Sequence, residues 1–224
     1  MVFVGRKVAA AFLVVAGLGF AGAYATSALS GNIACGKRQV RTKPMPVSGN
    51  NFSSYCLPCI AALRTYAREP VIDTVVAAYT ALEKSHPQTW FLYGEIGFPD
   101  GGRFRPHRTH RHGLSVDLMV PLENGAIMQT GATNRYGYDV EFTSDGVGDD
   151  GSIDFSALAA LIRTLDSEAK LRDGVVRRIF FAPDLQPLLK AKDKDLFSRI
   201  KFNSKQSWVR HDDHIHVDFT FPCN

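Results

Sequence analysis

Several residue types are scarce in this 224-residue chain, and each scarcity narrows the reading. Methionine, tryptophan and cysteine number only 4, 2 and 4, and histidine 7. No internal repeat is visible, which excludes a stacked-repeat architecture. Net charge is small. The 26 Lys+Arg stand against 22 Asp+Glu; setting aside Arg6 and Lys7, which lie in a leader-like segment, leaves 24 against 22, a net of +2. That balance excludes the basic footprint of a nucleic-acid-binding domain, and charge identifies no partner. Hydrophobic content of 45% is ample for the core of one domain.

The first segment reads as an export signal. Arg6-Lys7 is followed by an apolar run from Val8 to about Ala25, and Ala23-Tyr24-Ala25 has the A-x-A form of a cleavage site. Residues 1–25 are therefore expected to be a signal peptide, with an uncleaved anchor as the alternative, since about 18 apolar or small residues is the lower limit for a span. Asn32-Ile33-Ala34-Cys35 is only a faint lipoprotein box, because Asn32 stands where an aliphatic residue is wanted. Either way the folded part is expected outside the cytoplasm, in the periplasm, with membrane contact only through an uncleaved N-terminal segment.

Outside the cytoplasm, four cysteines suggest two disulfides with three possible connectivities. Cys56-Leu57-Pro58-Cys59 has redox C-x-x-C spacing, yet no thioredoxin-like βαβ pattern surrounds it. One structural reading ties one of the N-terminal cysteines to Cys223. The other pairs Cys56 with Cys59 and leaves Cys35 for Cys223.

Residues 26–57 are polar, with Pro44, Pro46 and Gly49, and read as an extended arm; the globular domain is expected over 58–224. Val71, Val75, Val76, Tyr79 and Leu82 mark one face of a helix entered through Pro70 and ended by His86-Pro87. Thr89 to Ile96 reads as a strand. Asp154 is a good N-cap for an amphipathic helix through Leu158, Leu161, Ile162 and Leu165, and Val175 to Ala182 is a further strand. Leu185 and Leu188, then Leu196 and Phe197, mark two short helices. Between Val120 and Ile153 the chain is mostly loop, a length that often accompanies function; its acidic run 145–150 lacks the EF-hand order of ligands and reads as a solvated loop. Tyr136 and Tyr138 can wall a groove there. The expected fold is α+β, an antiparallel β-sheet with helices packed on one face and an open cleft on the other.

Six of the seven histidines fall in two short stretches: His107, His110 and His112, then His211, His214 and His216. Leu114, Val116, Leu118 and Val120 alternate with Ser115, Asp117 and Met119. Ile215, Val217, Phe219 and Phe221 alternate with His214, His216 and Asp218. Period two makes both stretches half-buried strands, with Asp117, His214 and His216 on the open faces. If the strands share a sheet, these side chains converge, and His110 reaches over the same face from the strand entrance. Two imidazoles and a carboxylate leave one zinc position open, the makeup of a catalytic site, and no cysteine is near to build a closed structural one. His110, Asp117, His214 and His216 are thus the candidates to hold Zn2+ in that cleft.

At these residues the chain resembles the penicillin-insensitive murein endopeptidases, zinc peptidases related to lysostaphin-type endopeptidases, D-Ala-D-Ala carboxypeptidases and the Hedgehog-like fold. The resemblance rests on Gly101-Gly102, His107, His110, Gly113-Leu114, Val116-Asp117, Arg178 to Pro183, and Trp208, His211, His214 and His216, and spans roughly Phe91 to Cys223. One departure is Ser115, where the family carries a second acidic residue. The resemblance implies His110, Asp117 and His216 as the zinc ligands, His214 as acid/base or transition-state stabiliser, with His211 as second candidate, and a peptidoglycan peptide substrate cut between D-alanine and the side-chain amine of diaminopimelate. On the substrate side or behind the ligands stand His107, Arg105, Ser115, Trp208 and Asp213, with Asp212 and Asp213 able to orient imidazoles. Arg103, Arg105, Arg108 and Arg111 make a loop that is either solvated or suited to substrate carboxylates; Trp208 is either core or cleft wall. Alternatives are a D,D- or L,D-carboxypeptidase on stem peptides, and a non-catalytic peptidoglycan-binding module.

Overall fold

The computed structural model describes residues 30–105, 107–133 and 137–223. The expected signal segment and Tyr136 lie outside the described residues. In chain order the strands are β1 (Gly31–Cys35), β2 (Arg38–Pro44), β3 (Phe52–Ser54), β4 (Tyr66–Arg68), β5 (Phe91–Tyr93), β6 (Ser115–Met119), β7 (Val147–Gly148), β8 (Gly151–Ser152), β9 (Val175–Phe180), β10 (Lys201–Phe202) and β11 (His214–Thr220). The helices are α1 (Leu57–Ala61), α2 (Glu69–Ser85), α3 (Phe155–Lys170), α4 (Gln186–Lys192) and α5 (Leu196–Arg199).

The main sheet has six strands in the order β10-β9-β11-β6-β5-β3. Its inner pairs are antiparallel, as expected, while the outer pairs β10/β9 and β3/β5 are parallel. Val116, Leu118, Ile215 and Val217 are fully buried and share one core with Val71, Val75 and Ala78 of α2 and Leu158, Leu161 and Ile162 of α3. Alternation therefore sends Asp117, His214, His216 and Asp218 to the other face. The α+β class stands, with the apolar sheet face against helices and the titratable face opposite.

The polar arm is the clearest correction. From residue 31 it is built into the domain: β1 and β2 pair with β4 in a three-stranded sheet, and β3 forms the edge of the main sheet beside β5. The composition is polar because only Ile33, Cys35 and Val40 are needed to seal that small sheet. Ile33 also fixes a turn that matters downstream. Gly113 has φ +62°, and a Cβ there would come within 2.8 Å of Ile33 Cδ1. Arg68 donates to the Gly113 and His112 carbonyls, both at 3.0 Å. This closes the 3-10 turn His110–His112, so the expected arm helps to set His110.

Both disulfides follow the second connectivity, Cys35–Cys223 and Cys56–Cys59. The first ties β1 to the tail just beyond β11. The second is buried at the start of α1, where Cys56 Sγ accepts from the Cys59 N–H at 3.1 Å. The acidic 145–150 run folds into the β7–β8 hairpin, with Asp150 Oδ2 accepting from the Gln129 N–H at 2.8 Å.

Asp154 caps α3 as the sequence indicates, accepting from the N–H groups of Ser156 and Ala157, both at 2.9 Å. Asp154→Ala should lower stability by about 1 kcal/mol, the usual worth of such a cap, read as a lower urea midpoint with an unchanged m-value.

Candidate metal centre and active site

The pairing of β11 with β6 sets His216 opposite Asp117, and β9 sets Phe180 opposite His216 on the other side. His110 enters from the 3-10 turn just before β6. His216 Nδ1 lies 2.8 Å from Asp117 Oδ1, His110 Nε2 lies 3.2 Å from the same oxygen, and the two ring nitrogens are 3.1 Å apart. A tetrahedral ion with bonds of about 2.0–2.2 Å holds its donors roughly 3.3 Å apart, so this triangle fits a zinc-sized ion. Adding His107 makes a group of four donor residues whose ligand atoms all lie within 4.8 Å of one another. These four residues can hold a metal ion. His107, expected on the substrate side, thus joins the expected ligand set.

Outer contacts assign the ring nitrogens. His110 Nδ1–H donates to the Ile96 carbonyl at 2.5 Å, which leaves Nε2 for the cluster. His216 Nε2–H donates to Asp218 Oδ1 at 2.9 Å and also meets Thr109 Oγ1 at 2.9 Å, which leaves Nδ1. His107 Nε2 faces Glu95 Oε2 at 3.1 Å. An acceptor behind each imidazole is the usual support of a metal-binding histidine.

Burial opposes charge here, yet the groups compensate one another. Burial works against the charged ring of His216, but hydrogen bonds to Asp117 and Asp218 hold its pKa up at about 9. Burial likewise pushes the Asp117 carboxyl up, and the facing rings of His110, His214 and His216 more than reverse this, leaving it well below the ordinary range. The Nδ1 proton of His216 therefore occupies a place that a cation can take, releasing it.

His214 stands beside this group. Its Nδ1–H donates to Asp213 Oδ1 at 2.5 Å, while its buried Nε2 has no hydrogen-bond partner among the described residues and lies 4.0 Å from Asp117 Oδ1. A buried polar atom left so is costly in a finished core and points to a ligand or substrate group. His211 lies with its ring 4.8 Å from that of His214, and its Nδ1–H donates to the Val209 carbonyl at 2.9 Å. Burial and the neighbouring rings of His214 and His216 press its pKa down to about 3. Its backbone sits at φ 27°, held by the Ala182 N–H to His211 carbonyl bond at 2.8 Å; strain of this kind gathers at functional sites.

The remaining expectations divide. Asp213 does orient an imidazole; Asp212 does not, because its Oδ2 accepts from the Phe142 N–H and from Arg210. Ser115 is on the face of Asp117, but its hydroxyl donates to Asp218 Oδ1 at 2.7 Å. Trp208 is 58% exposed, which overturns its reading as core; it lines a cavity of about 190 Å³ with His107, Phe180, His211 and His216. Arg103, Arg105, Arg108 and Arg111 are exposed around an adjoining cavity of about 690 Å³. Tyr138 lines a third cavity, of about 520 Å³, with Trp208 and Asp213, and its hydroxyl donates to Asp117 Oδ2 at 3.2 Å.

Sequence reasoning missed Glu95, Asp218 and Thr109 as parts of the centre. Asp218 was legible from its alternation with His214 and His216. Glu95, only 2% exposed, follows β5 in irregular backbone, where no period marks it.

The model of the penicillin-insensitive murein endopeptidase family matches residues 31–224. The chain belongs to that family. It is therefore a peptidase, and the cell wall is the material on which it acts. Among curated proteins none matches the chain. The match begins at the first residue of β1, so the small sheet belongs to the murein endopeptidase domain.

Purified protein should take up about one zinc per chain, and Asp117→Ala and His216→Ala should each abolish tight uptake, because each removes a vertex of the donor triangle. Metal analysis after dialysis checks this; undiminished uptake by both variants would place the metal elsewhere.

Proposed function

We propose that this murein endopeptidase is a periplasmic zinc enzyme, exported by its N-terminal signal, that hydrolyses the D-alanyl to diaminopimelate cross-link of peptidoglycan. The observation that carries it is the donor triangle of His110, Asp117 and His216 with the unpartnered Nε2 of His214 beside it. Zinc bound there supplies a Lewis acid for a carbonyl oxygen and lowers the pKa of water. Every other part of the chemistry falls to the chain itself.

His214 is suited to proton transfer. Asp213 holds its Nδ1 proton and so dedicates Nε2 to exchange with the reacting groups, the arrangement of an oriented general acid–base. Asp213 is itself pushed up by burial, so its charge is most favourable when His214 is protonated. His211, kept neutral with its proton on Nδ1, offers an acceptor at Nε2 to a protonated reacting group without adding a second cation beside His214. Tyr138 remains a hydroxyl at neutral pH, burial and the nearby Asp117 and Glu95 carboxylates raising its pKa, and steadies Asp117. Trp208 walls one side of the cleft. On the other side the exposed arginines suit the carboxylates of stem peptides, with Arg105 and Arg108 next to His107.

The same arginines favour one second reading, a D,D- or L,D-carboxypeptidase, in which one of them holds a terminal carboxylate. Purified sacculi distinguish the two. Mass spectrometry should show cross-linked muropeptide dimers converted to intact monomers; shortening of uncross-linked stems without loss of dimers would replace the endopeptidase with the carboxypeptidase.

His214→Ala should retain zinc and lose about a hundred- to ten-thousand-fold in turnover, the usual range for a general acid–base group. A metal-free His214→Ala protein would make His214 a ligand.

Hydrolysis should be indifferent to β-lactams, which acylate a nucleophilic serine. Ser115 is buried and hydrogen-bonded to Asp218, so Ser115→Ala should keep substantial hydrolysis, whereas chelators should abolish it and zinc restore it. Activity that survives chelation and yields to a serine-directed acylating agent would sink the zinc mechanism.

A further inference from the structure

Three of the four donor residues are set by regular structure. Asp117 and His216 have strand register, and His110 is held in a 3-10 turn closed by Gly113. His107 has none of this. It lies in irregular backbone three residues upstream of the turn, so its ring must be aimed by side-chain contacts. The Phe104 and Trp208 rings, with centroids 5.7 and 6.1 Å away, limit where it can lie but impose no direction on its nitrogens.

Glu95 imposes that direction. Its carboxylate is buried and divided between two sides. Oε1 accepts from Arg64 Nε and from Thr133 Oγ1 at 3.2 Å, with Cys59 Sγ in contact at 3.8 Å. Oε2 faces His107 Nε2 at 3.1 Å. Ionised beside the Arg64 guanidinium, the carboxylate presents His107 with an acceptor only. The ring proton must then sit on Nε2, and Nδ1 keeps its lone pair. The main chain of Glu95 works separately: its carbonyl accepts from the Asp117 N–H at 3.0 Å, and its N–H donates to Tyr138 Oη at 2.6 Å. A side-chain substitution therefore disturbs the His107 arm and leaves the Asp117 arm in place.

We propose that Glu95 is a positioning residue of the metal centre, whose carboxylate, anchored by Arg64 and Thr133, fixes the tautomer and direction of the His107 ring and thereby strengthens metal binding. This rests on the reading of His107, His110, Asp117 and His216 as a metal centre. Glutamine at 95 cannot serve both sides: with its carbonyl toward His107 its amide opposes the Arg64 guanidinium, and with its carbonyl toward Arg64 its amide opposes His107 Nε2–H.

The test measures zinc affinity by competition with a chromophoric chelator, on the full protein and on Glu95→Gln, His107→Ala and the double variant. The expected loss for Glu95→Gln is about 10- to 100-fold, the range for an acceptor behind a metal-binding histidine. In the His107→Ala background the same change should add less than about twofold, because the coupled partner is gone. Nitrogen-15 spectra of the zinc-free wild-type protein should show His107 protonated on Nε2, a measurement that stands even if Glu95→Gln does not fold. Wild-type affinity in Glu95→Gln, an equal loss in both backgrounds, or a wild-type His107 protonated on Nδ1 would each overturn the role of Glu95. Failure of the wild-type protein to bind zinc would instead overturn the metal centre itself.

Discussion

The antiparallel register of β11 on β6 is the constraint from which the rest of the site follows. It places His216 against Asp117 on the open face while Ile215, Val217, Val116 and Leu118 face the helices. A slip of β11 by one residue would turn that strand over, putting His214, His216 and Asp218 into the core and Ile215 and Val217 into the cleft. Burial of each such aliphatic side chain is worth about 1.5–3 kcal/mol, so the core itself enforces the pairing that builds the site. Here stability and function are read from opposite faces of the same two strands.

Holding so many titratable groups out of water requires an acceptor for every imidazole. The structure supplies one to each: the Ile96 carbonyl to His110, Asp218 to His216, Asp213 to His214, the Val209 carbonyl to His211 and Glu95 to His107. These contacts leave His110 Nε2 and His216 Nδ1 to meet Asp117 Oδ1, with His214 Nε2 4.0 Å from the same oxygen. The Asp218 carboxylate is in turn held by Ser115 and Arg178, so Ser115 serves His216 through Asp218 and leaves the donor triangle untouched. The small β1-β2-β4 sheet serves the same end by a mechanical route, through Ile33 against Gly113 and Arg68 against the turn that carries His110.

Much of this was legible because period two is a local property. Asp117, His214 and His216 could be assigned to one kind of face from the residues between them, and α2 and α3 were marked by their apolar spacing and by Pro70 and Asp154. The polar stretch from residue 31 misled because β1 and β2 bury so little; Ile33, Val40 and the Cys35–Cys223 disulfide complete that sheet, and a polar composition then looks like an extended arm. Trp208 was ambiguous for a related reason: an aromatic residue in irregular chain carries no period to say whether it faces core or cleft.

The sequence by itself determined the histidine-rich strands, their polar faces and the residue types of a candidate metal site, since these depend on alternation within a few residues. Only the tertiary structure decided that Asp212 turns away to Phe142 and Arg210 while Asp213 holds His214, that Ser115 reaches Asp218, and that Glu95 stands behind His107. Neighbouring carboxylates have equal standing in a sequence. Which of them meets an imidazole depends on distances between segments tens of residues apart, and those distances exist only once the sheet has closed.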